Sequence, residues 1–393
     1  NIASFMYIPL LPVYLQELDA SVLQVGLFFT LSQILPLVLQ IVGGWISDTM
    51  GRLRSVALGS VGGVFAYVAI VLAPSWQWLL LGEAFGAVAR SLVAPSFGAY
   101  VAEQSTEENR ARVYGISEAV FMVVMVVGPP LGGFFAEKYG FKFMLSVATL
   151  IYSTATVIRI MMARSAANTQ SSKTNPLTFS GLRTSISAML GFILAGGLIT
   201  WLLITDGMRD IAYTMSLTFM PIYLENSAGL SVQQIGWLTS VFGAGTMLAT
   251  FPAGWLADKK GERLTISLGF LFNFLAMIVF IQAVNYYGYI LAWAVFGLGV
   301  GMLSPAFQSL ISKAIPDKLR GTAFGMLQTS LGIFSLPAPA IGAQIWERWS
   351  PRALFMLTGW ITLFAIIPVW LKFKTPANGG EPPSVMASVR TET

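Results

Sequence analysis

The sequence predicts an all-α integral membrane protein with twelve transmembrane helices, arranged as two similar sets of six. Three observations carry that expectation. Apolar runs of about 20 residues, the length that crosses a bilayer's hydrocarbon core, recur between short polar breaks. The chain of 393 residues is 55% hydrophobic and only 10% charged, where a soluble domain carries about 25% charged residues. The second half also repeats the first at an offset of 210 positions.

The helices are expected at about 1–16, 21–47, 55–73, 77–101, 110–135 and 141–163, then 196–224, 231–256, 264–284, 288–313, 319–346 and 351–373. This divides the chain into a first bundle over 1–163, a polar linker over 164–195, a second bundle over 196–374 and a polar tail over 375–393. Residues 178–195 are expected to extend the seventh helix or to lie along the membrane surface as an amphipathic piece. The tail, poor in apolar residues, is expected to be disordered.

The repeat survives residue by residue. Ser21-Val22-Leu23-Gln24-Val25-Gly26 aligns with Ser231-Val232-Gln233-Gln234-Ile235-Gly236. Pro95 matches Pro305, Phe97 matches Phe307, Pro129 matches Pro339, and Gly132 matches Gly342. Before the first loop the offset slips to 209, where Pro12, Tyr14 and Leu15 match Pro221, Tyr223 and Leu224. Matched prolines and glycines are not explained by hydrophobicity alone. Asn1 aligns with Asp210, well inside the seventh helix, so the first helix is expected to lack half its length here. Residues 1–16 carry neither a basic leader nor a small-residue cleavage site, so no signal peptide is expected.

Charge predicts orientation. Seventeen Lys and Arg residues, Arg52 and Arg54 among them, fall in the loops and tail on one side. Four, Lys138, Lys142, Arg348 and Arg352, fall on the other. The positive-inside rule places the basic side and both termini in the cytoplasm, in a cell inner (plasma) membrane. The net charge of +5 serves orientation; no basic patch with interleaved aromatics points to nucleic acid. With no Cys and no His, disulfides, thiolate chemistry and Cys/His metal sites are excluded, and any protons must ride on carboxylates. No metal and no organic cofactor are expected.

Between the second and third helices lies Gly43-Gly44-Trp45-Ile46-Ser47-Asp48-Thr49-Met50-Gly51-Arg52-Leu53-Arg54. Its second copy is Ala253-Gly254-Trp255-Leu256-Ala257-Asp258-Lys259-Lys260-Gly261. Gly44 and Gly254 would let two helices approach closely, and Asp48 and Asp258 would lock a gate where the chain meets water. On the fifth helix stands Gly128-Pro129-Pro130-Leu131-Gly132-Gly133. Its prolines remove backbone donors and bend the helix, and its glycines admit a neighbour at the bend.

These residues resemble the major facilitator superfamily, over nearly the whole chain. The Gly44, Asp48, Gly51, Arg52 turn is similar to the family's signature loop. It departs from that loop at Thr49, where the family usually carries arginine. The stretch holding Gly128, Pro129, Gly132 and Gly133 resembles the antiporter motif of drug/proton exchangers. Where those exporters carry an arginine twelve positions before the helix-four proline, this chain has Glu83, with Arg90 seven residues later. The resemblance implies two pseudo-symmetric bundles around a central cavity, working by alternating access.

Six ionisable residues are expected inside helices: Glu83, Arg90, Glu118, Asp206, Arg209 and Asp210. Each would cost about 2.5–3.5 kcal/mol at a helix centre, so they should be paired or face water. Glu83 and Arg90, seven apart, share a face about 10 Å apart and are expected to line one cavity without touching. Arg90 and Glu118 lie at comparable depth and are expected to bridge. Asp206, Arg209 and Asp210 share one helical face, leaving one carboxylate over to carry a proton. Gln328 aligns with Glu118 and is expected to face the same cavity.

The expected function is proton-coupled export of amphipathic or lipophilic compounds, driven by a proton gradient, with a small-molecule substrate and the lipid bilayer as partners and a functional monomer. The alternative is a carrier of a polar or anionic metabolite held by Arg90 or Arg209. A non-transporting receptor or lipid-handling protein would show an added soluble domain, and an enzyme a nucleophile–base or metal cluster; neither is seen in the sequence.

Overall fold

Helix boundaries in this chain are set by residues that the two repeats share. The computed structural model describes residues 1–106, 109–166, 198–314 and 332–373, without the side chains at 40–49, 102, 110–111, 166, 198–199 and 314. Every regular element among them is helical. The expectations for Gln328, the 178–195 segment and the 375–393 tail lie outside the described residues, as do the packing around Gly44 and the Asp48 side chain.

The first repeat comprises α1 (Ile2–Tyr7), a 3-10 turn (Ile8–Leu10), α2 (Leu11–Glu17), α3 (Val22–Met50), α4 (Arg52–Leu72), α5 (Trp76–Gln104), α6 (Arg110–Tyr139) and α7 (Phe141–Ala166). The second comprises α8 (Leu198–Leu217), α9 (Met220–Asn226), α10 (Val232–Lys260), α11 (Glu262–Gln282), α12 (Tyr286–Ala314), α13 (Ala338–Arg348), α14 (Pro351–Phe364) and α15 (Ile366–Lys372). Adding 210 to the ends of α3, α4 and α5 returns the ends of α10, α11 and α12 to the residue. Adding 209 to those of α2 returns α9.

Local chemistry explains the match. Ser21 and Ser231 each cap a helix reciprocally with the Gln three positions on, which satisfies two orphan N–H groups at once. Gly51 (φ 90°) and Gly261 (φ 94°) end one helix and begin the next in a backbone conformation that only glycine enters without strain. Pro9, Pro12 and Pro221 stand in the first turns of their short helices, where their missing donors cost least.

Among the described residues, eight stretches are long and apolar enough to cross a membrane, and α10 is not one of them. Its sequence is diluted by Gln, Thr, Ser and Gly, and Gly236, Gly243 and Gly245 seat one face of it against α6 and α12. Leu248 and Phe251 are 70% and 75% exposed, which a hydrocarbon solvent accommodates without penalty. The chain is a multi-pass membrane protein.

The repeats meet along two seams, and each seam copies the other. Gly26 of α3 lies against Pro339 and Ala343 of α13, where an added Cβ would come within 2.6 Å of the Ala343 Cβ. Its repeat mate Gly236 of α10 lies against Pro129 and Pro130 of α6, with 2.5 Å to the Pro129 carbonyl. The Ala340 N–H donates to the Thr30 hydroxyl at 3.2 Å, and the Ser240 hydroxyl donates to the Val126 carbonyl. All of these contacts lie in the helix halves away from Arg52, Arg54, Lys259 and Lys260. We refer to the two faces as the basic end and the seam end.

The helix-five motif supplies one seam. A Cβ at Gly133 would sit 2.8 Å from the Val232 carbonyl of α10. At Gly128 it would meet Phe5, and at Gly132 it would collide with the Met6 carbonyl of α1. The motif therefore seats the first helix on one face and the opposite repeat on another. The Glu137 carboxylate then crosses the seam to accept the Gln233 N–H at 2.7 Å, capping the positive end of α10.

Gly254 corrects an expectation. A Cβ there would meet nothing within 4 Å, and Asp258 is exposed, so the second loop copy uses glycine for its turn at Gly261 and not for close helix approach at Gly254.

Candidate functional site

Charged and phenolic groups gather at mid-depth in the first repeat. Glu83 and Arg90 sit on α5, seven and fourteen residues from its start at Trp76. The Arg90 guanidinium donates to Glu83 Oε2 at 3.0 Å, with 50% of the arginine side chain and 11% of the glutamate exposed. This overturns two expectations: that Glu83 and Arg90 are too far apart to touch, and that Arg90 bridges to Glu118. Side chains on a helix lean toward its N-terminus, so the long Arg90 arm runs back over the intervening turn. Gly86 leaves the path clear, for a Cβ there would come within 3.1 Å of the Arg90 Nη1. Glu118 stands exposed on α6.

Other helices hold the pair in place. The Tyr7 hydroxyl of α1 donates to Glu83 Oε1 at 3.3 Å. The Tyr7 ring meets the Tyr67 ring edge-on at 5.5 Å, and Tyr67 and Ser4 share a hydrogen bond of 3.1 Å. Tyr67 packs on Tyr152 at 4.9 Å, Arg159 lies over the Tyr152 ring, and its Nη1 donates to the Ser60 hydroxyl at 2.9 Å. A polar line thus joins α5, α1, α4 and α7 through an otherwise apolar bundle. Sequence reasoning missed the tyrosines; the available signal was Gly86, on the stripe between Glu83 and Arg90.

In the second repeat, Arg209 pairs with Asp206 at 2.7 Å, while Asp210 is partly exposed on the same face. The Arg209 guanidinium lies over the rings of Tyr213 and Phe307 at 5.9 and 5.4 Å, a favourable use of their negative faces. The Asn273 amide donates to the Tyr213 hydroxyl. Among the described residues no group of three or more His, Cys, Asp or Glu could hold a metal ion.

A third group lies at the seam end, where the spans read at 1–16 and 196–224 finish, with Glu17 and Glu225 just beyond them. The Asn226 amide donates to Gln16 Oε1 at 3.0 Å. The 209 offset maps Gln16 onto Glu225 and Glu17 onto Asn226, so the repeat counterpart of this amide pair is Glu17 with Glu225. Burial pushes the Glu225 carboxyl up, and the Glu17 charge pushes it further. Burial also raises Glu17, against a downward pull from Lys142. A carboxyl raised in the joined seam binds its proton more tightly there than when the ends part. The cost of burying the charges, with the repulsion added at Glu225, is present above the raised pKa, eases as pH falls through it, and is gone below the ordinary 4.5 of glutamate. The expected result is a thermal unfolding midpoint that rises on acidification through this window, with a slope that Glu225→Gln flattens. Scanning fluorimetry on the eleven tryptophans checks it; an unchanged slope in the variant would refute the assignment.

A helical membrane fold with duplicated halves, polar groups at mid-depth and glycine–proline seams defines a membrane carrier. The comparison with known proteins agrees. The model of the Major Facilitator Superfamily matches residues 1–206 and 202–391, and the chain belongs to that family. A multi-drug resistance efflux pump PmrA homolog of Lactococcus lactis is 25% identical over 94% of this chain and 91% of its own. The multidrug resistance protein MdtG of Proteus mirabilis is 22% identical over 94% and 92%, and the quinolone resistance protein NorA of Staphylococcus aureus 20% over 93% and 92%. In fold, the chain resembles the peptide transporter POT in complex with sulfate, with a TM-score of 0.77 at 16% identity, covering 94% of this chain and 91% of that one. It also resembles a bacterial homolog of the human lysosomal transporter Spinster, with a TM-score of 0.75 at 14% identity over 95% and 94%. The protein is a secondary transporter.

Proposed function

We propose that the protein exports amphipathic organic cations in exchange for protons, by alternating access between its two repeats. One observation carries the reading: an ion pair, Glu83–Arg90, is held at mid-depth by a tyrosine from another helix, with its arginine half exposed. Such a pair has two states. With Glu83 ionised, Arg90 supplies its counter-charge and the Tyr7 hydroxyl a hydrogen bond. When Glu83 takes a proton, the ion pair is lost and Arg90 is released toward the solvent-filled side. A cationic substrate and a proton thus compete for the same carboxylate. Asp210, partly exposed beside the Asp206–Arg209 pair, offers the second repeat a comparable acceptor. The efflux relatives, at 20–25% identity, support the direction of transport.

On this reading the basic end faces the cytoplasm and the seams join the repeats on the outer side, in an inner membrane, with the monomer as the working unit. The energy source is the proton gradient, without a bound cofactor.

Proteoliposomes with an internal pH dye test it. Adding a lipophilic cation such as tetraphenylphosphonium is expected to move protons against it. Glu83→Gln and Asp210→Asn are expected to reduce that flux by tenfold or more. Absence of cation-driven proton movement in the unmodified protein would refute the exporter reading. A second reading, carriage of an anionic metabolite on Arg90, draws on the half-exposed guanidinium; it predicts anion-driven flux in the same vesicles.

A further inference from the structure

A groove of about 200 Å³ runs between α11 and α14 on the flank of the second repeat. Phe274, Ile278 and Ile281 of α11 form one wall, Met356 and Trp360 of α14 the other, and Gly359 the floor. Both helices pack within their own repeat. Met356 and Trp360 are 50% and 44% exposed, with Leu271, Leu275 and Phe364 exposed beside them, so the groove lies on an apolar face turned to the hydrocarbon. Gly359 makes the groove: a Cβ there would come within 3.2 Å of the Met277 Cβ and 3.5 Å of the Phe274 ring. Gln282, the last residue of α11, closes its seam end. The offset of 210 maps Gly359 onto Thr149 and Gln282 onto Leu72, so the glycine floor and the amide rim are features the first repeat does not share.

The polar groups of the groove stand at headgroup depth. The apolar spans end at Gln282 and begin at Pro351, so Gln282 and Arg352 lie where the hydrocarbon stops. From Gln282 down to Phe274 the groove descends about 12 Å, most of the roughly 15 Å that one leaflet gives to the hydrocarbon core. Arg352, Met356 and Trp360 follow one another at intervals of four, on one stripe of α14, so the arginine continues the groove wall to the surface. Helical side chains lean toward the N-terminus, which carries the guanidinium outward. The Arg352 charge acts on the Tyr289 hydroxyl, and that hydroxyl donates to the carbonyl of Ala283, next to Gln282. Cation and amide therefore share one rim. Arg352 is exposed and makes no ion pair among the described residues. It sits in the first turn of α14, where the helix dipole opposes a positive charge. Its repeat mate Lys142 differs, for the Glu17 carboxylate lies near it. An unbalanced cation above an apolar groove of acyl length is complementary to an anionic lipid.

We propose that the groove holds one acyl chain of an anionic glycerophospholipid, whose phosphate is bound by Arg352 and Gln282 at the rim. A neutral lipid gains only the apolar contacts of the groove. An anionic one adds a charge-assisted hydrogen bond and the attraction that a basic residue at the membrane surface exerts on it. Because α11 and α14 belong to one repeat, the site does not depend on how the two repeats stand to each other. The proposal rests on membrane class alone, and not on export or on proton coupling.

Native mass spectrometry of the detergent-solubilised protein, with phosphatidylglycerol or phosphatidylcholine added, tests the site. The unmodified protein is expected to retain one phosphatidylglycerol at collision energies that strip phosphatidylcholine. Arg352→Ala is expected to lower the retained fraction about tenfold, the effect of losing one hydrogen bond to a charged group. Gly359→Leu fills the floor with the charge intact and is expected to lower it as well. Lys138→Ala removes another basic residue at the seam end, away from the groove, and is expected to leave retention unchanged. Equal retention of the two lipids, or unchanged retention in Arg352→Ala, overturns the proposal. An equal loss in Lys138→Ala overturns it too, since general surface charge would then account for binding. Should Gly359→Leu fail to fold, phosphatidylglycerol with a photoreactive acyl chain takes its place. Crosslinks are expected at Met356 and Trp360, and crosslinks confined to other helices overturn the assignment to this groove.

Discussion

Gly132→Val is expected to abolish transport and to lower the thermal midpoint more than any other single change in the helix-five motif. A side chain at this position would strike the Met6 carbonyl. The obstacle is backbone on α1, which cannot rotate aside as a side-chain tip can. Overpacking of this kind costs about 1–3 kcal/mol or more, and relief by separating α1 from α6 would also pull Tyr7 away from Glu83. The repeat mate Gly342 is filled in the same way, with Met215 and Phe219 of its own repeat within 3.0 Å of an added Cβ. Gly254→Ala is the contrasting variant: its surroundings are open, and alanine favours a helix over glycine by about 1 kcal/mol. It is expected to fold as well as or better than the parent. Thermal midpoints in detergent and transport in vesicles check both; wild-type behaviour of Gly132→Val would refute the packing account.

The second large effect concerns the ion pair. Arg90→Ala is expected to abolish coupled transport while leaving the protein folded, since Glu83 loses the counter-charge that it is paired with inside the membrane. Glu83→Gln is expected to lose proton coupling but to keep some downhill substrate movement. The double variant Glu83→Gln/Arg90→Gln should be more stable than the sum of the single losses predicts, by about 0.5–3 kcal/mol, because partners in contact are not additive and removing both members leaves no stranded charge. Additive stabilities would show that the two side chains do not act as a pair in the membrane. Wild-type transport in both single variants would remove them from the mechanism.

The partner of Arg90 shows where a linear reading stops. Glu118 was the expected partner by depth, while Glu83 shared a helical face with Arg90. The Cα separation of about 10 Å over seven residues argued against Glu83, but it left out the reach of an arginine and the gap above Gly86. Which carboxylate an arginine finds depends on side-chain length, rotamer and how far α6 stands from α5. None of these is encoded in spacing along one helix. The same holds for Tyr7, which meets Glu83 only because α1 is drawn onto α6 by Gly128 and Gly132.

The Asp206, Arg209, Asp210 trio was more legible, because its members lie within a single turn and helical geometry places them on one face. Tertiary packing then chose Asp206 as the partner and set Arg209 over Tyr213 and Phe307.

What the sequence determined by itself was the periodic and the local. Membrane class followed from hydropathy, and the duplication from matched prolines and glycines. The helix ends followed from Ser-x-x-Gln starts and glycine stops that recur at a fixed offset. Such signals reside in contiguous residues and need no folded context. What only the tertiary structure decided was contact between distant segments: Glu83 with Arg90 and Tyr7, Glu137 on the start of α10, and the groove walled by α11 and α14. Those contacts depend on how far apart packed helices stand, and that separation is set by the side chains, or their absence, on two surfaces that meet only after folding.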